Sequence, residues 1–155
     1  KDSNITGHLA GGENSNSIED AYRFSDGGGI YIEGSRLSIS DTTLDENRAM
    51  YGAGLFIKQT SSDEKKLTIT GGSISNNHAQ GRRHTGNGDG GGIYSLTIYL
   101  SIVHSVIDGN YPRGNGGGVT SYPYGRLQLP GSAGHLLSVM NNIAVGRGGG
   151  ACTHR

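Results

Sequence analysis

The chain has 155 residues, with 13 Lys and Arg against 13 Asp and Glu, 29 glycines and only 32% hydrophobic residues. Balanced charge excludes the basic footprint of a nucleic-acid or anionic-membrane binder, and so few apolar residues cannot fill a thick two-layer core, which leaves a thin core drawn out along a repeated structure. The single Cys152 excludes an internal disulfide, and no apolar run is long enough for a signal peptide or a membrane span.

In chain order, the first element is Ile5, His8 and Ala10, an apolar-x-x-His-x-small pattern followed by a long insertion, Gly11 to Asp26. A glycine cluster then leads into Gly29-Ile30-Tyr31, and a Leu-x-Ile segment follows at Leu37-Ser38-Ile39. The first pattern returns with Asn in the polar slot at Leu44, Asn47 and Ala49. The same three elements recur as Gly52-Ala53-Gly54-Leu55-Phe56, Leu67-Thr68-Ile69 and Ile74, Asn77, Ala79, with Thr60 to Lys66 inserted. They recur again as Gly90-Gly91-Gly92-Ile93-Tyr94, Leu100-Ser101-Ile102 and Ile107, Asn110, Pro112, after the insertion Gln80 to Asp89. A last round reads Gly116-Gly117-Gly118-Val119, Leu127-Gln128-Leu129 and Val139, Asn142, Ala144, interrupted at Tyr122 to Arg126 and Pro130 to Gly134, before Gly148-Gly149-Gly150-Ala151. The residues after the glycines, Ile30, Leu55, Ile93, Val119 and Ala151, lie 25, 38, 26 and 32 positions apart. The unit is therefore near 25 residues, lengthened where loops enter.

Each element alternates apolar with polar, is rich in Ile, Leu, Val, Thr and Tyr, and is bounded by Gly, Asn, Asp or Ser, which is strand patterning. No segment sustains the three-to-four spacing of a helix. Strands too short to bury a face alone become stable when successive units stack. The predicted fold is all-β, a right-handed parallel β-helix of about four to five coils with three short strands each. Residues 1–155 form a single segment, expected to belong to a longer polypeptide. Glycine serves the corners, where positive φ is needed and neighbouring coils leave no room for a Cβ. Asn47, Asn77, Asn110 and Asn142 are expected to form a ladder, because Asn tolerates the left-handed conformation and its amide both donates and accepts. His8 caps it. The two longest insertions occupy one slot and should project from one edge of the prism.

The paired elements GGGI, GAGL, GGGI, GGGV, GGGA and LDEN, ISNN, IDGN, VMNN resemble the GGAI and FxxN repeats of polymorphic outer-membrane proteins and autotransporter passengers, with Leu, Ile or Val in place of Phe. The resemblance implies a secreted or cell-surface β-helix serving structure or adhesion.

Register places the candidate catalytic groups. Asp45 and Asp108 fall at equivalent positions two coils apart, ~9–10 Å on one outer face, near the separation of an inverting glycosidase pair, with Ser75 between them; the alternative is two solvated corner residues. Asp26 and Asp89, each before a glycine cluster, read as turn-capping residues ahead of Ca²⁺ ligands. His78, His84, Cys152 and His154 close no four-ligand metal set. Gly86 to Gly91 matches G-x-G-x-x-G, but a dinucleotide site requires a helix where Ile93-Tyr94-Ser95 continues as strand. Tyr31, Phe56 and Tyr94 should stack outward as an exposed aromatic row able to dock sugars or protein, with Arg82 and Arg83 on the neighbouring loop; the alternative is a sheet-stabilising ladder of stacked rings. Asn4-Ile5-Thr6 is a glycosylation sequon. The first reading is a non-catalytic extracellular or cell-surface structural or adhesive segment that associates with itself, with other surface proteins or with glycans. It requires no cofactor, contacts no nucleic acid and inserts in no membrane. The alternative is a carbohydrate-active lyase or hydrolase, or a sugar-binding module.

Overall fold

The computed structural model describes residues 3–8, 26–33, 38–58, 66–81, 88–96, 99–122, 126–128 and 137–153. Every regular element among them is a β-strand of two to five residues. The segments after the glycines, Ile30–Glu33, Leu55–Lys58, Ile93–Leu96, Val119–Ser121 and Ala151–Thr153, stack into a five-stranded sheet. The Leu-x-Ile segments stack as Ser38–Ser40, Lys66–Thr70, Tyr99–Val103 and Arg126–Gln128. The segments ahead of each polar slot form the other five-stranded sheet, from Ser3–Thr6 through Thr42–Asp45, Ser73–Ser75 and Val106–Asp108 to Ser138–Met140. All pairings are parallel and join segments one repeat apart, so the chain winds as a parallel β-helix.

Alternation along each strand decides the core. Ile30, Leu55, Ile93 and Val119 form one inward column, Ile39, Ile69 and Ile102 a second, and Ile5, Leu44, Ile74, Ile107 and Val139 a third. Burying each such side chain contributes about 1.5–3 kcal/mol, and this thin interior is continuous from coil to coil. One column is less apolar: Ile32 and Ile57 are followed by Ser95 and Ser121, whose buried hydroxyls have no hydrogen-bond partner.

The structure differs from the three-strand expectation by a fourth, narrow sheet. Arg48–Ala49, His78–Ala79 and Tyr111–Pro112 pair just beyond the Asn corner. It is two residues wide because the buried Ala49, Ala79 and Pro112 pack inward while Arg48, His78 and Tyr111 stand outward, and the backbone then bends toward the glycines.

The glycine clusters are tight bends. Gly90 and Gly116, first in their clusters, have φ of 66° and 63°, a conformation open to glycine at little cost. The last glycine of a cluster is confined by its neighbours: a Cβ on Gly92 would lie 2.5 Å from the carbonyl oxygen of Gly118 and 3.1 Å from Asn110 Nδ2. The middle slot is as tight, with a Cβ on Gly91 2.7 Å from the carbonyl oxygen of Gly117, and in the second cluster it is filled by the fully buried Ala53.

The left-handed residue at the other corner is not the ladder Asn. Glu46, Asn76, Gly109 and Asn141 have positive φ, each immediately before Asn47, Asn77, Asn110 or Asn142, and Gly7 does so before His8. The ladder residue must aim both its backbone N–H and its side chain along the stack, which leaves the turn to the residue ahead of it.

Candidate functional site

The polar slots form an internal file. Asn77 Oδ1 accepts from Asn47 N–H at 3.0 Å and Asn47 Nδ2 at 3.1 Å; Asn110 Oδ1 accepts from Asn77 at 3.0 and 2.9 Å. Asn142 Oδ1 accepts the same pair from Asn110 at 3.0 and 2.9 Å. Each Nδ2 also donates backward, to the carbonyl of Ile5, Leu44, Ile74 or Ile107. Three of these amides have no exposed surface, and a buried amide is tolerable only when its donors and acceptor are engaged. At the start of the file, His8 takes part through its backbone N–H, 3.0 Å from Asn47 Oδ1.

The carboxylate column lies on the outside of the same sheet. Asp45, Ser75, Asp108 and Met140 are in register, so Asp45 and Asp108 are two coils apart. Each carboxylate is engaged by the left-handed Asn of the next coil: Asn76 Nδ2 donates to Asp45 at 3.0 Å, and Asn141 Nδ2 to Asp108 at 2.8 Å. Asn4 is exposed on the first strand of this sheet.

On the glycine sheet the rings form a file. Tyr31 and Phe56 lie 5.2 Å apart and 3° from parallel, Phe56 and Tyr94 5.2 Å and 9°, and Tyr122 continues it at 5.4 Å from Tyr94. Tyr51 packs on Tyr94 from the side at 5.2 Å. The expectation of an exposed row needs correction. Tyr31 is 45% exposed but Phe56 only 3%, because parallel rings cover both its faces. Burial, helped by the Asp89 carboxylate, pushes the Tyr94 phenol up to about 12. The file therefore acts as a sheet-stabilising ladder over most of its length. Its exposed end is tied down as well: Tyr31 Oη donates to Glu33 at 2.9 Å, and Lys58 pairs with Glu33 at 3.0 Å. Arg82, Arg83 and His84 lie outside the described residues.

Asp89 anchors this region. It is 5% exposed; Oδ1 accepts Asn115 N–H at 2.6 Å and Oδ2 accepts Tyr122 Oη at 2.7 Å. Burial and this bond raise the Tyr122 phenol well above its usual value. The carboxylate thus fastens the root of one long insertion to the next glycine cluster. Cys152 lies near enough for the Asp89 charge, together with the larger effect of burial, to push its thiol upward, away from the nucleophilic thiolate. Among the described residues no three His, Cys, Asp or Glu side chains form a metal-ligating group.

Residues 69–96 match the Chlamydia polymorphic membrane protein repeat. The matched stretch runs from Ile69 through Ile74 and Asn77 to Gly90, Gly91, Gly92 and the strand Ile93–Leu96, so it holds one polar-slot element, one insertion and one glycine element. The match supports a surface protein of this type and a surface location in general. Comparison with curated proteins and with solved structures gave no significant match.

Sequence reasoning did not single out Tyr122 or Tyr51 as members of the ring file, nor Asp89 as the partner of Asn115. The available signal was Tyr122 lying three residues after Val119, just past the strand register that carries Tyr94. Its ring reaches back because Asp89, from 33 residues earlier, accepts its hydroxyl.

Proposed function

We propose that this chain is a non-catalytic structural and adhesive segment of a surface-displayed β-helix, on which further coils stack, whether of the same polypeptide or of another copy. The observation that supports such stacking is the Asn142 rung of the file. Asn142 bonds back to Asn110 and Ile107 as the earlier members do, and by the same pattern its backbone N–H and one Nδ2 hydrogen face the position of a following acceptor. Beside it, Met140, Ile143 and Val145 are 49%, 62% and 66% exposed, an apolar fringe of the sort that stacking covers. Parallel edge strands of this kind accept further strands by backbone pairing.

A lyase or hydrolase acting through Asp45 and Asp108 has less support, because each carboxylate is engaged by an Asn amide of the next coil. Sedimentation of residues 1–155 over a wide concentration range tests the reading. Concentration-dependent growth in mass, weakened by Ile143→Asp, is expected; a monodisperse monomer at high concentration would overturn it and favour a self-contained binding module.

A further inference from the structure

The narrow fourth sheet borders a groove of about 790 Å³, within the size range of small-molecule sites. It runs across four successive coils, from His8 past Glu46 and Arg48, then Asn76 and His78, to Tyr111. At ~4.8 Å per coil this is ~14 Å, the reach of an extended ligand of about three units. The outward column Arg48, His78, Tyr111 is set by strand register, so these side chains are held on rigid backbone rather than on loops.

Three features decide what the groove can hold. Among the described residues neither Arg48 nor Glu46 makes an ion pair with the other or with anything else, so a planar donor fork and an acceptor carboxylate are both left for a ligand. Tyr111 is 38% exposed, and His78, its register partner one coil earlier, packs against its ring with centroids 5.1 Å apart and tilted by 59°. His78 Nε2 is buried with no partner, and burial first, then Arg48 and Arg113, lower its proton affinity, so the imidazole stays neutral. The formal charges on the wall are thus Arg48 and Glu46, one of each sign, so a ligand meets a donor fork and an acceptor side by side.

We propose that this groove binds a neutral oligosaccharide, with a pyranose face stacked on Tyr111 and neighbouring hydroxyls bridging Arg48 and Glu46. A sugar hydroxyl donates to the carboxylate while accepting from the guanidinium, and the Asn76 carbonyl oxygen offers a further acceptor. The apolar C–H face of the ring meets an aromatic surface that is amphipathic in the same sense. This goes beyond the structural role argued above and uses a different surface from the coil ends, so either can fail without the other.

The test is amide chemical-shift mapping of the whole chain titrated with neutral trisaccharides of glucose, galactose, mannose and N-acetylglucosamine, and with a hexuronate trimer. At least one neutral trisaccharide should shift the amides of Arg48, His78 and Tyr111 saturably in the millimolar range, and Tyr111→Ala and Arg48→Ala should each weaken it about tenfold, ~1.4 kcal/mol. Both side chains point outward, and the dispersed spectrum of each variant reports that it is folded; if either is not, Tyr111→Ser and Arg48→Gln take its place. The hexuronate trimer should bind no more tightly than the neutral one. No saturable shift at the groove, shifts undiminished in the variants, or salt-sensitive preference for the hexuronate would each overturn the proposal, as would shifts confined to the coil ends.

Discussion

Asn77 Oδ1 accepts two hydrogen bonds from Asn47, one from its backbone N–H at 3.0 Å and one from its side-chain amide at 3.1 Å. A single oxygen thus satisfies two buried donors of a residue 30 positions earlier, and the repetition of this contact couples each coil to the next through side chain as well as backbone. The corner has no room for another arrangement: the Asn77 amide nitrogen lies 3.0 Å from where a Cβ on Gly54 would be. The glycine and asparagine elements of the repeat are for this reason one packing unit.

Removing a rung should cost more inside the file than at its end. Asn77→Leu strands the N–H and one amide hydrogen of Asn47, takes the side-chain donor from the carbonyl of Leu44 and leaves Asn110 Oδ1 with the backbone N–H alone, and we expect a loss of about 3 kcal/mol or more. Asn142→Leu, at a part-buried end with fewer dependants, should cost about 1 kcal/mol. Urea unfolding followed by circular dichroism distinguishes the two; equal midpoints would show that the file does not carry the load.

Gly92→Ala should destabilise by several times the ~1 kcal/mol of an ordinary left-handed glycine substitution, because its Cβ meets the Gly118 carbonyl and Asn110 at once. Gly7→Ala is the control. It has φ of 67° but nothing within 4 Å of its added Cβ, so only the conformational cost should appear in its thermal midpoint.

The buried serines on the glycine sheet offer a gain. Ser95 and Ser121 are 0% and 2% exposed with unpartnered hydroxyls, so Ser95→Ala should raise stability by about 1 kcal/mol by removing an unsatisfied group. A lower unfolding midpoint would mean that a buried water bonds both hydroxyls.

His78 gives the fold an acid-side weakness. Its proton affinity in the folded chain lies below the ordinary value of 6.5, owing to burial and then to the Arg48 and Arg113 charges; Tyr111 covers its ring and Glu46 stands in the same groove. Below pH 6.5 the unfolded chain therefore binds a proton that the folded chain does not, and stability falls as the pH drops from 6.5 toward the lowered folded value. Melting temperature against pH should show this slope, and His78→Phe should flatten it.

The sequence by itself determined the period, the strand positions and the columns they create, because an apolar residue every second position and a glycine at each bend leave few ways to stack coils. Ile74 and Ile107 are legible as neighbours from spacing alone, and so are Asn77 and Asn110. Only the tertiary structure decided what happens between columns. Whether Phe56 is open or covered depends on how closely Tyr31 and Tyr94 stack above and below it. That the turn falls on Glu46, Asn76, Gly109 and Asn141 depends on where the ladder side chains must aim. The Asp89 contacts with Asn115 and Tyr122, and the groove along Arg48, His78 and Tyr111, join residues 26 to 33 positions apart. Such meetings follow from the rotation and offset of one coil over the next, a geometry fixed by side-chain packing across the stack and invisible to any pattern read along a single strand.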